Sequence, residues 1–409
     1  MVYIVFYDKK KGLNMFKNRL LIMTTTYKFR LYPKKAEEEK LETAKEVCRQ
    51  TYNHLLAELN EGYTKNEIQN FILDLKVAYP EMSDVHSKVL QMENQRLFGN
   101  LSSLSHLKKK GHKVGRLRYK GRNWFKTFTY NQSGFLLTHI RGKKGILWLS
   151  KIGDIPVKLH RKVEGNIKNI TIKKSNGRWY ASISSDFVQK RTCGTKEIGI
   201  DVGMMNYIYD SEGNTYENPN HFDNYHSKLK VAQQSLSKKE KGSNSRRKAR
   251  IKFAKIHEKI ANARDDFIHK LSAKLIKESK FIAIEKLNIK NLMLISYNAK
   301  NIADASWGKP RMYLHYKAES AGCVVQDVDP AYTTMDCSFC GARNNKLELS
   351  RRKFVCEKCN KEIPRDYNSA LNILARGKEL ALMEKASNTE QLVQQGVSMK
   401  SEALSMGMG

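Results

Sequence analysis

KEIGIDVGMMNYIYDSEGN, residues 196–214, is the stretch that decides the fold of the second half of this chain. Its apolar residues Ile198, Ile200 and Val202 occupy every second position, which is the period of a strand. The turn-forming residues 211–214 then predict an antiparallel return. Asp201 interrupts the apolar pattern between two glycines. A carboxylate in such surroundings is costly to bury unless a partner such as a divalent cation compensates its charge.

The elements downstream of this stretch alternate between helix and strand. Residues 223–279 carry an apolar stripe at helical spacing, broken by GSNS at 242–245 into a helical hairpin. KFIAIEKL (280–287) and CVVQDVDP (323–330) are predicted strands, with a helix over 307–321 between them. A final helix is predicted from Asp366. This order is typical of an α/β domain with a central sheet flanked by helices.

The first half of the chain predicts a β domain interrupted by helices. TTTYKFRLY (24–32) alternates as a strand and is ended by Pro33, residues 34–110 have helical periodicity, and residues 116–188 hold short strands with a hairpin turn at Asn-Gly 176–177. We therefore expect a β-barrel or sandwich with a helical insertion.

The two ends of the sequence lie outside these predicted domains. The apolar run near the N-terminus is too short to span a bilayer, and residues 1–23 are expected to be a disordered lead, with Met15 or Met23 as the true start. The polar, aperiodic residues 381–409 are expected to be a disordered tail.

Four of the seven cysteines form two C-x-x-C pairs with fifteen residues between them, Cys337/Cys340 and Cys356/Cys359. Two such turns can direct four thiolates at one ion, and the spacing is typical of a four-cysteine zinc ribbon. Because all four ligands come from the protein, the zinc is expected to be structural. The pattern does not fit a disulfide framework, which favours a reducing compartment. Cys48, Cys193 and Cys323 are expected to be small buried hydrophobes.

Two further acids share the unusual setting of Asp201. Glu285 ends the apolar run FIAIE, and Asp366 begins the last predicted helix. Three converging carboxylates could hold two Mg²⁺ ions about 4 Å apart for phosphodiester hydrolysis. Each acid also has a purely structural alternative: Asp201 could end a strand, Glu285 could pair with a lysine, and Asp366 could cap the helix.

The chain is strongly basic, with 74 Lys+Arg against 41 Asp+Glu and a net charge of +33. Residues 107–126 contain nine Lys/Arg and no acid, and residues 228–259 contain twelve Lys/Arg with two glutamates. A solvated helix face is the alternative, but two runs and the global excess favour a phosphate-binding surface. The candidate contacts are Lys108, Lys109, Lys110, Lys113, Arg116, Arg118, Lys120, Arg122, Arg246, Arg247, Lys248 and Arg250. Aromatic residues interleaved with the first run could stack on bases or belong to the core: Tyr119, Trp124, Phe125, Phe128 and Tyr130.

IGIDVG, IAIEKLNI and CSFCG…CEKCN…RDYNSALNI, in this order, resemble the RuvC-type nuclease half of the TnpB family of transposon-encoded RNA-guided endonucleases. The resemblance extends to YKFRLYP and YNHLLAE near the N-terminus and to VDPAYTT before the cysteines, so it covers most of the chain. Two departures are Pro364, where many relatives have an aspartate, and Lys286, where small polar residues are common. Asn368 is a candidate for a contact with substrate or with a metal ligand.

The resemblance implies a multidomain α/β protein. It implies a β-barrel wedge domain (24–33 and 111–192), a helical recognition lobe (34–110), an RNase H-like (RuvC) nuclease domain (193–335 and 361–380) and an inserted zinc ribbon (336–360). Asp201, Glu285 and Asp366 would be catalytic and would bind two Mg²⁺, beside one structural Zn²⁺.

The implied partners are a transposon-end-derived guide RNA and double- and single-stranded DNA with a short flanking motif. The resemblance further implies a monomer on each guide RNA, in the prokaryotic cytoplasm and without a membrane partner. A miniature type V CRISPR effector, a non-catalytic nucleic-acid-binding protein and a transposase that needs no RNA remain alternatives.

Overall fold

The computed structural model describes residues 25–122, 124–295, 302, 304–345 and 352–405. The expected lead, 1–23, lies outside the described residues. The chain divides into two compact units, Met1–Gln189 and Lys190–Gly409. In the described residues no helix is long and apolar enough to cross a membrane.

The first unit contains one seven-stranded antiparallel sheet with the order β2-β6-β7-β1-β5-β4-β3. The strands are β1 (Thr25–Leu31), β2 (Thr127–Asn131), β3 (Phe135–Arg141), β4 (Lys144–Leu149), β5 (Gly153–Lys158), β6 (Ile167–Ser175) and β7 (Arg178–Ser185). The predicted hairpin joins β6 to β7, and both turn residues have positive φ, 52° at Asn176 and 73° at Gly177, as a tight hairpin requires.

The sequence predicted a β-barrel or sandwich, and the strand pairing of the described residues does not close a barrel. The terminal strands β2 and β3 are not paired with each other in the described part of the chain, so the sheet order is open. The exposure of β3 explains part of the difference. Half-buried and exposed residues alternate only in its first half, and its last four residues are all exposed. The second half of β3 therefore has no apolar face to bury against a further strand at the sheet edge.

The predicted helical insertion consists of α1 (Lys35–Asn60), α2 (Lys65–Ala78), a short 3₁₀ helix (Pro80–Asp84) and α3 (Ser87–Lys109). The stripe that predicted α1 is buried, with Leu41, Val47 and Leu55 at 3 % exposure or less. Thr64 and Glu67 form a capping box that fixes the start of α2. The core of these helices is continuous with the buried face of the sheet.

The second unit is built on a five-stranded sheet with the order β10-β9-β8-β11-β12. The strands are β8 (Lys196–Asp201), β9 (Asn206–Asp210), β10 (Thr215–Glu217), β11 (Ser279–Glu285) and β12 (Val324–Val328). β11 runs parallel to both β8 and β12, whereas β9 is antiparallel to β8 and β10. The helices between the strands are α4 (His221–Ser237), α5 (Asn244–Glu278), α6 (Ile289–Ile295) and α7 (Gly308–Ala321). The sequence predictions of the antiparallel return and of the α4–α5 hairpin are confirmed.

The cysteine segment and the last helix complete the second unit. The hairpin of β13 (Lys353–Val355) and β14 (Glu362–Pro364) belongs to the ribbon, so its second strand lies beyond the predicted boundary at residue 360. The last helix, α8, runs over Arg365–Ser405. The prediction of a disordered tail from residue 381 is therefore wrong as far as Ser405, because this proline-free segment rich in Glu, Leu, Ala, Met and Gln has high helix propensity.

Candidate metal centres

Asp201 and Glu285 lie side by side at the ends of two neighbouring parallel strands. Ile200 of β8 is paired with Ile284 of β11, and each acid is the next residue of its strand. Paired positions on adjacent strands are about 4.8 Å apart and point to the same face of the sheet. The fold therefore brings together two acids that are 84 positions apart in the sequence.

Helix α8 crosses the face of the sheet to which these acids belong. A Cβ on Gly199 would lie 2.1 Å from the backbone oxygen of Ala370 in α8, so the face of β8 that includes Gly199 and Asp201 is in contact with this helix. Asp366 precedes Ala370 by one helical turn. A Cβ on Gly377 would similarly lie 2.4 Å from Cβ of Ala283, two residues before Glu285. Small residues thus allow α8 to lie against the two strands that end in the acids.

The electrostatics of Asp201 reflect the charges of the two other acids. Burial, and after it the nearby carboxylates of Glu285 and Asp366, raise the pKa of Asp201 to about 8, against opposing effects of Arg365 and a backbone amide. Burial also raises the pKa of Glu285, opposed by a hydrogen bond from Thr333. Arg365 and Arg376 offset part of the negative charge of these acids, and a divalent metal ion would compensate the rest.

The structural alternatives for Glu285 and Asp366 do not hold in the described residues. Glu285 is 8 % exposed and accepts a hydrogen bond from the hydroxyl of Thr333 rather than pairing with a lysine. Helix α8 begins at Arg365, so Asp366 lies inside the first turn and is not its N-cap. Asp201 is the last residue of β8, and this position agrees with either a strand end or a metal ligand.

The carboxylates do not reach the close spacing of a preformed single-ion site. In the described residues, the four cysteines form a group whose potential ligand atoms all lie within 4.8 Å of one another, and the three acids form no such group. A pair of ions fits a wider arrangement, in which a central acid is shared and the two outer acids each contact one ion. Asp201 lies beside Glu285 by strand register, and the charges of Glu285 and Asp366 both raise its pKa.

A pocket of about 250 Å³ opens beside Asp366. Its lining residues are Met205, Asn206, Tyr209, Arg352, Pro364 and Asp366. Sequence reasoning missed Asn206, Tyr209 and Arg352. The predicted antiparallel hairpin could have identified Tyr209, because this residue of β9 is paired with Asp201. No sequence pattern connects Arg352 to the acids; it lies in the ribbon, and its backbone oxygen accepts a hydrogen bond from the amide of Arg365.

The four predicted cysteine ligands come together, with all of their sulfur atoms within 4.8 Å of one another. The sulfur atoms of Cys337 and Cys359 are 3.7 Å apart, and those of Cys340 and Cys356 are 3.6 Å apart. Zn–S bonds of about 2.3 Å in tetrahedral geometry place the sulfurs about 3.8 Å from one another. The donor set therefore fits one zinc ion with a closed coordination shell. Of the three cysteines predicted to be small buried hydrophobes, Cys48 and Cys323 are buried, while Cys193 is half-buried.

We expect Cys356→Ser to lower the bound zinc from one ion per chain to nearly none, because three thiolates cannot close the tetrahedron. Metal content after dialysis, measured by inductively coupled plasma mass spectrometry, checks this result. Cys48→Ser, a change of another buried cysteine, is the control and should retain one zinc. One zinc in the Cys356→Ser protein would contradict the assignment.

Helix α8 is tied to the ribbon by two buried amides. The side chain of Asn368 accepts from the amide of Ser338 at 2.9 Å and donates to the backbone oxygen of Asp336 at 2.8 Å. Asn372 donates to the same oxygen at 2.6 Å. Asn368 is fully buried, so its position supports a structural link rather than the substrate contact considered from the sequence. The link connects the residues that flank Cys337 to the helix that carries Asp366.

The twelve basic candidates differ in their surroundings. Ten are exposed, whereas Lys120 and Arg246 are half-buried. The guanidinium of Arg246 donates to the backbone oxygens of Leu236 and Lys239, so it closes the turn between α4 and α5. The exposed Arg122 forms an ion pair with Glu46 at 3.1 Å. The nucleic-acid contacts of all twelve stay predictions.

The interleaved aromatic residues separate into two groups. Phe125, Phe128 and Tyr130 are buried in the core of the first unit, as the alternative for them predicted. Tyr119 is 59 % exposed and Trp124 is 82 % exposed. Their exposure leaves these two available for stacking on bases.

The raised pKa of Asp201 predicts a specific dependence of stability on pH. The folded protein keeps this proton up to about pH 8, whereas an unfolded chain releases it near pH 4, so the contribution of Asp201 to stability falls as the pH rises through this window. In magnesium-free buffer, Asp201→Asn should therefore stabilise the protein clearly at pH 8 and have little effect at pH 4. Urea unfolding at both pH values measures this; equal stabilisation at both would contradict the stated cause.

Comparisons with known proteins identify the family of this chain. A family model described as "Probable transposase" matches residues 166–296, one described as "Cas12f1-like, TNB domain" matches residues 307–373, and one described as "Helix-turn-helix domain" matches residues 23–67. The last range contains β1, the long helix α1 and the first residues of α2. The matches therefore cover parts of both units.

Relatives match over most of the chain. A Streptomyces pristinaespiralis protein named RNA-guided DNA endonuclease is 30% identical over 369 residues, which is 86% of this chain and 89% of that protein. The Escherichia coli (strain K12) protein InsQ, whose name also includes RNA-guided DNA endonuclease, is 28% identical over 409 residues, 93% and 97% of the two chains.

A solved structure has a similar fold. The Cas12f1 chain in a cryo-EM structure of a Cas12f1-sgRNA-target DNA complex is 18% identical, with a TM-score of 0.54 and coverage of 83% of this chain and 82% of that chain. The relatives, the family models and the four-cysteine cluster together show that this chain belongs to the TnpB family and is related to Cas12f.

Proposed function

We propose that this protein is an RNA-guided DNA endonuclease that hydrolyses phosphodiester bonds with Mg²⁺. The observation that carries the proposal is the meeting of Asp201, Glu285 and Asp366 at one edge of the sheet, in a chain whose relatives over nearly the full length are named for this activity. The RNase H-like (RuvC) character of the five-stranded sheet is part of the same proposal.

The proposed roles of the three acids follow from their positions. Asp201 is the shared ligand, and Glu285 and Asp366 flank it from β11 and α8. The three acids would hold two Mg²⁺ ions, which would supply the activation of a water molecule and the stabilisation of the leaving oxygen of the phosphodiester. Asp201 would have to be ionised to hold such an ion, so metal binding is expected to depend on pH. Arg352, in the pocket beside Asp366, is suited to contact a phosphate of the substrate strand.

The guide RNA and the DNA are proposed to bind along the basic runs 107–126 and 228–259. Exposed lysine and arginine side chains there, such as Arg118, Arg247 and Arg250, have the charge to contact phosphates. Base pairing with the guide would supply sequence specificity, and the protein would read a short flanking motif. One protein chain on each guide RNA, acting in a prokaryotic cytoplasm, is the arrangement that we propose, with a structural zinc in the ribbon.

A second candidate is a miniature CRISPR effector, in which the guide comes from a repeat array rather than from a transposon end. The match of residues 307–373 to the Cas12f1-like domain and the Cas12f1 fold likeness favour it. The nearly full-length match to InsQ favours the transposon-encoded form. Sequencing the RNA that co-purifies with the protein distinguishes the two sources of guide.

The function is tested with protein purified together with its RNA. We expect matched plasmid DNA to be cut only with Mg²⁺ present, and ribonuclease treatment before assembly to abolish cutting. A plasmid with an unmatched target is the control. Protein that carries no RNA, or that cuts equally well after ribonuclease treatment, would overturn the RNA-guided activity and leave the non-catalytic binder or the RNA-independent transposase.

A further inference from the structure

The loop after β12 places a buried hydroxyl on Glu285. The Oγ1 atom of Thr333 lies 2.5 Å from Oε1 of Glu285, and Thr333 itself is 2 % exposed. This distance is typical of a hydroxyl that donates to an ionised carboxylate, which is among the stronger hydrogen bonds in proteins. The hydroxyl of Thr333 therefore contacts an acid that the proposed function assigns to metal binding.

The geometry selects which oxygen of Glu285 is restrained. Oγ1 of Thr333 is also 3.2 Å from the backbone oxygen of Pro330, but a hydroxyl donates one proton, and the closer, more basic acceptor is the carboxylate. In the described residues no side chain donates to the second oxygen, Oε2. The hydrogen bond thus restrains the carboxylate through Oε1 and leaves Oε2 for a cation.

Thr333 is itself held by the helix that carries Asp366. Asn372 of α8 donates to the backbone oxygen of Thr333 at 2.9 Å and to that of Asp336 at 2.6 Å. Arg376 of α8 donates to Oδ2 of Asp336 and to the backbone oxygen of Ala331, both at 2.6 Å. The loop is therefore fixed at both of its ends to the same helix.

The other side of the loop leads directly into the zinc ribbon. Asp336 precedes Cys337 and forms an ion pair with Arg343 of the ribbon at 2.6 Å. A chain of contacts consequently runs from the cysteine cluster through Asp336 and Asn372 to Thr333, and from Thr333 to Glu285. The same buried amides hold α8, so the positions of Glu285 and Asp366 depend on one network.

We propose that Thr333 is a positioning residue that fixes the metal-binding orientation of Glu285 and links that orientation to the zinc ribbon. This inference rests on the proposed function, because it assumes that Glu285 binds the catalytic cation. Hydrogen bonds to carboxylate ligands commonly change metal affinity by 10–100-fold when they are removed. A residue that only supports packing would change stability without changing the affinity for the ion.

The test compares Thr333→Val, which keeps the shape and removes the hydroxyl, with Thr333→Ser, which keeps the hydroxyl. Thr51→Val is the matched control, because Thr51 is a fully buried threonine of the first unit whose hydroxyl donates to the backbone oxygen of Val47. Mn²⁺ binding to the full-length protein without RNA is followed by the electron paramagnetic resonance of the free ion. The Mg²⁺ concentration for half-maximal cleavage is measured on the RNA-loaded protein.

Thr333→Val should weaken Mn²⁺ binding and raise the half-maximal Mg²⁺ concentration by about 10-fold. Thr333→Ser and Thr51→Val should stay within about twofold of the wild type. Thr333→Ala replaces Thr333→Val if the valine variant does not fold. Wild-type metal affinity without the hydroxyl, or equal weakening in Thr333→Ser, would overturn the inference.

The outcome also separates this inference from the proposed function. If the RNA-loaded wild type leaves matched DNA intact, the proposed function fails. If the wild type cuts and Glu285→Gln does not, while Thr333→Val keeps the metal affinity of the wild type, only the role of Thr333 fails.

Discussion

Asp201→Asn should reduce Mg²⁺-dependent cleavage of matched DNA by about 10³-fold or more while leaving the binding of guide RNA unchanged. Asp201 is the acid on which both other carboxylates act, so its loss removes the ligand that two ions would share. The amide of asparagine preserves the shape of the side chain and removes its charge. Single-turnover cleavage with excess protein measures the rate, and filter binding measures the RNA affinity.

The control for this prediction is Asp266→Asn, which changes an exposed acid of the same unit that pairs with Lys270 on the surface of α5. It should cut at the wild-type rate, since an exposed ion pair of this kind contributes little. Wild-type cleavage by Asp201→Asn would show that this acid does not hold the catalytic ions. Loss of RNA binding in the same variant would instead show that its role is structural.

Gly199→Ala should both destabilise the second unit and reduce cleavage. The added Cβ would lie 2.1 Å from the backbone oxygen of Ala370 and 2.6 Å from the backbone nitrogen of Leu374, so helix α8 must move. Overpacking against backbone atoms costs about 3 kcal/mol, which corresponds to roughly 6–12 °C in melting temperature for a unit of this size. Displacement of Asp366 by about 1 Å is expected to cost a further ~100-fold in rate.

Gly308→Ala is the matched control for this substitution. Gly308 lies in the same unit at the start of α7, and a Cβ there would have its nearest neighbour at 3.9 Å, an ordinary contact. Differential scanning calorimetry and cleavage assays on both variants test the prediction. A Gly199→Ala protein that melts and cuts like the wild type would contradict the close packing of α8 on β8.

The sequence predicted the parts of the site that depend on local pattern. Alternation around Asp201 and the apolar run before Glu285 placed both acids on strands, and parallel pairing then puts them at one edge of the sheet. The two C-x-x-C pairs predicted the cysteine cluster, because ligand spacing on tight turns is itself a local property. The last helix was predicted to begin at Asp366, one residue after its observed start at Arg365, but its full length was not predicted.

The parts that sequence reasoning missed depend on tertiary contacts. Thr333 reaches Glu285 from a loop 48 positions away, and no periodicity marks a threonine as a hydrogen-bond donor to a distant acid. Asn368 and Asn372 have the spacing of one helix face, but their partners in the ribbon follow only from the packing of α8. The open order of the seven-stranded sheet is likewise a long-range property, since edge pairing cannot be read from the alternation within a strand.

The most direct measurement is anomalous scattering from crystals of the protein soaked in Mn²⁺, the ion that replaces Mg²⁺ in carboxylate sites. We expect two manganese peaks about 4 Å apart, with Asp201 contacting both ions, Glu285 contacting one and Asp366 the other. Manganese elsewhere on the protein, with no peak within coordination distance of Asp201, would contradict the assignment of this sheet edge as the catalytic centre.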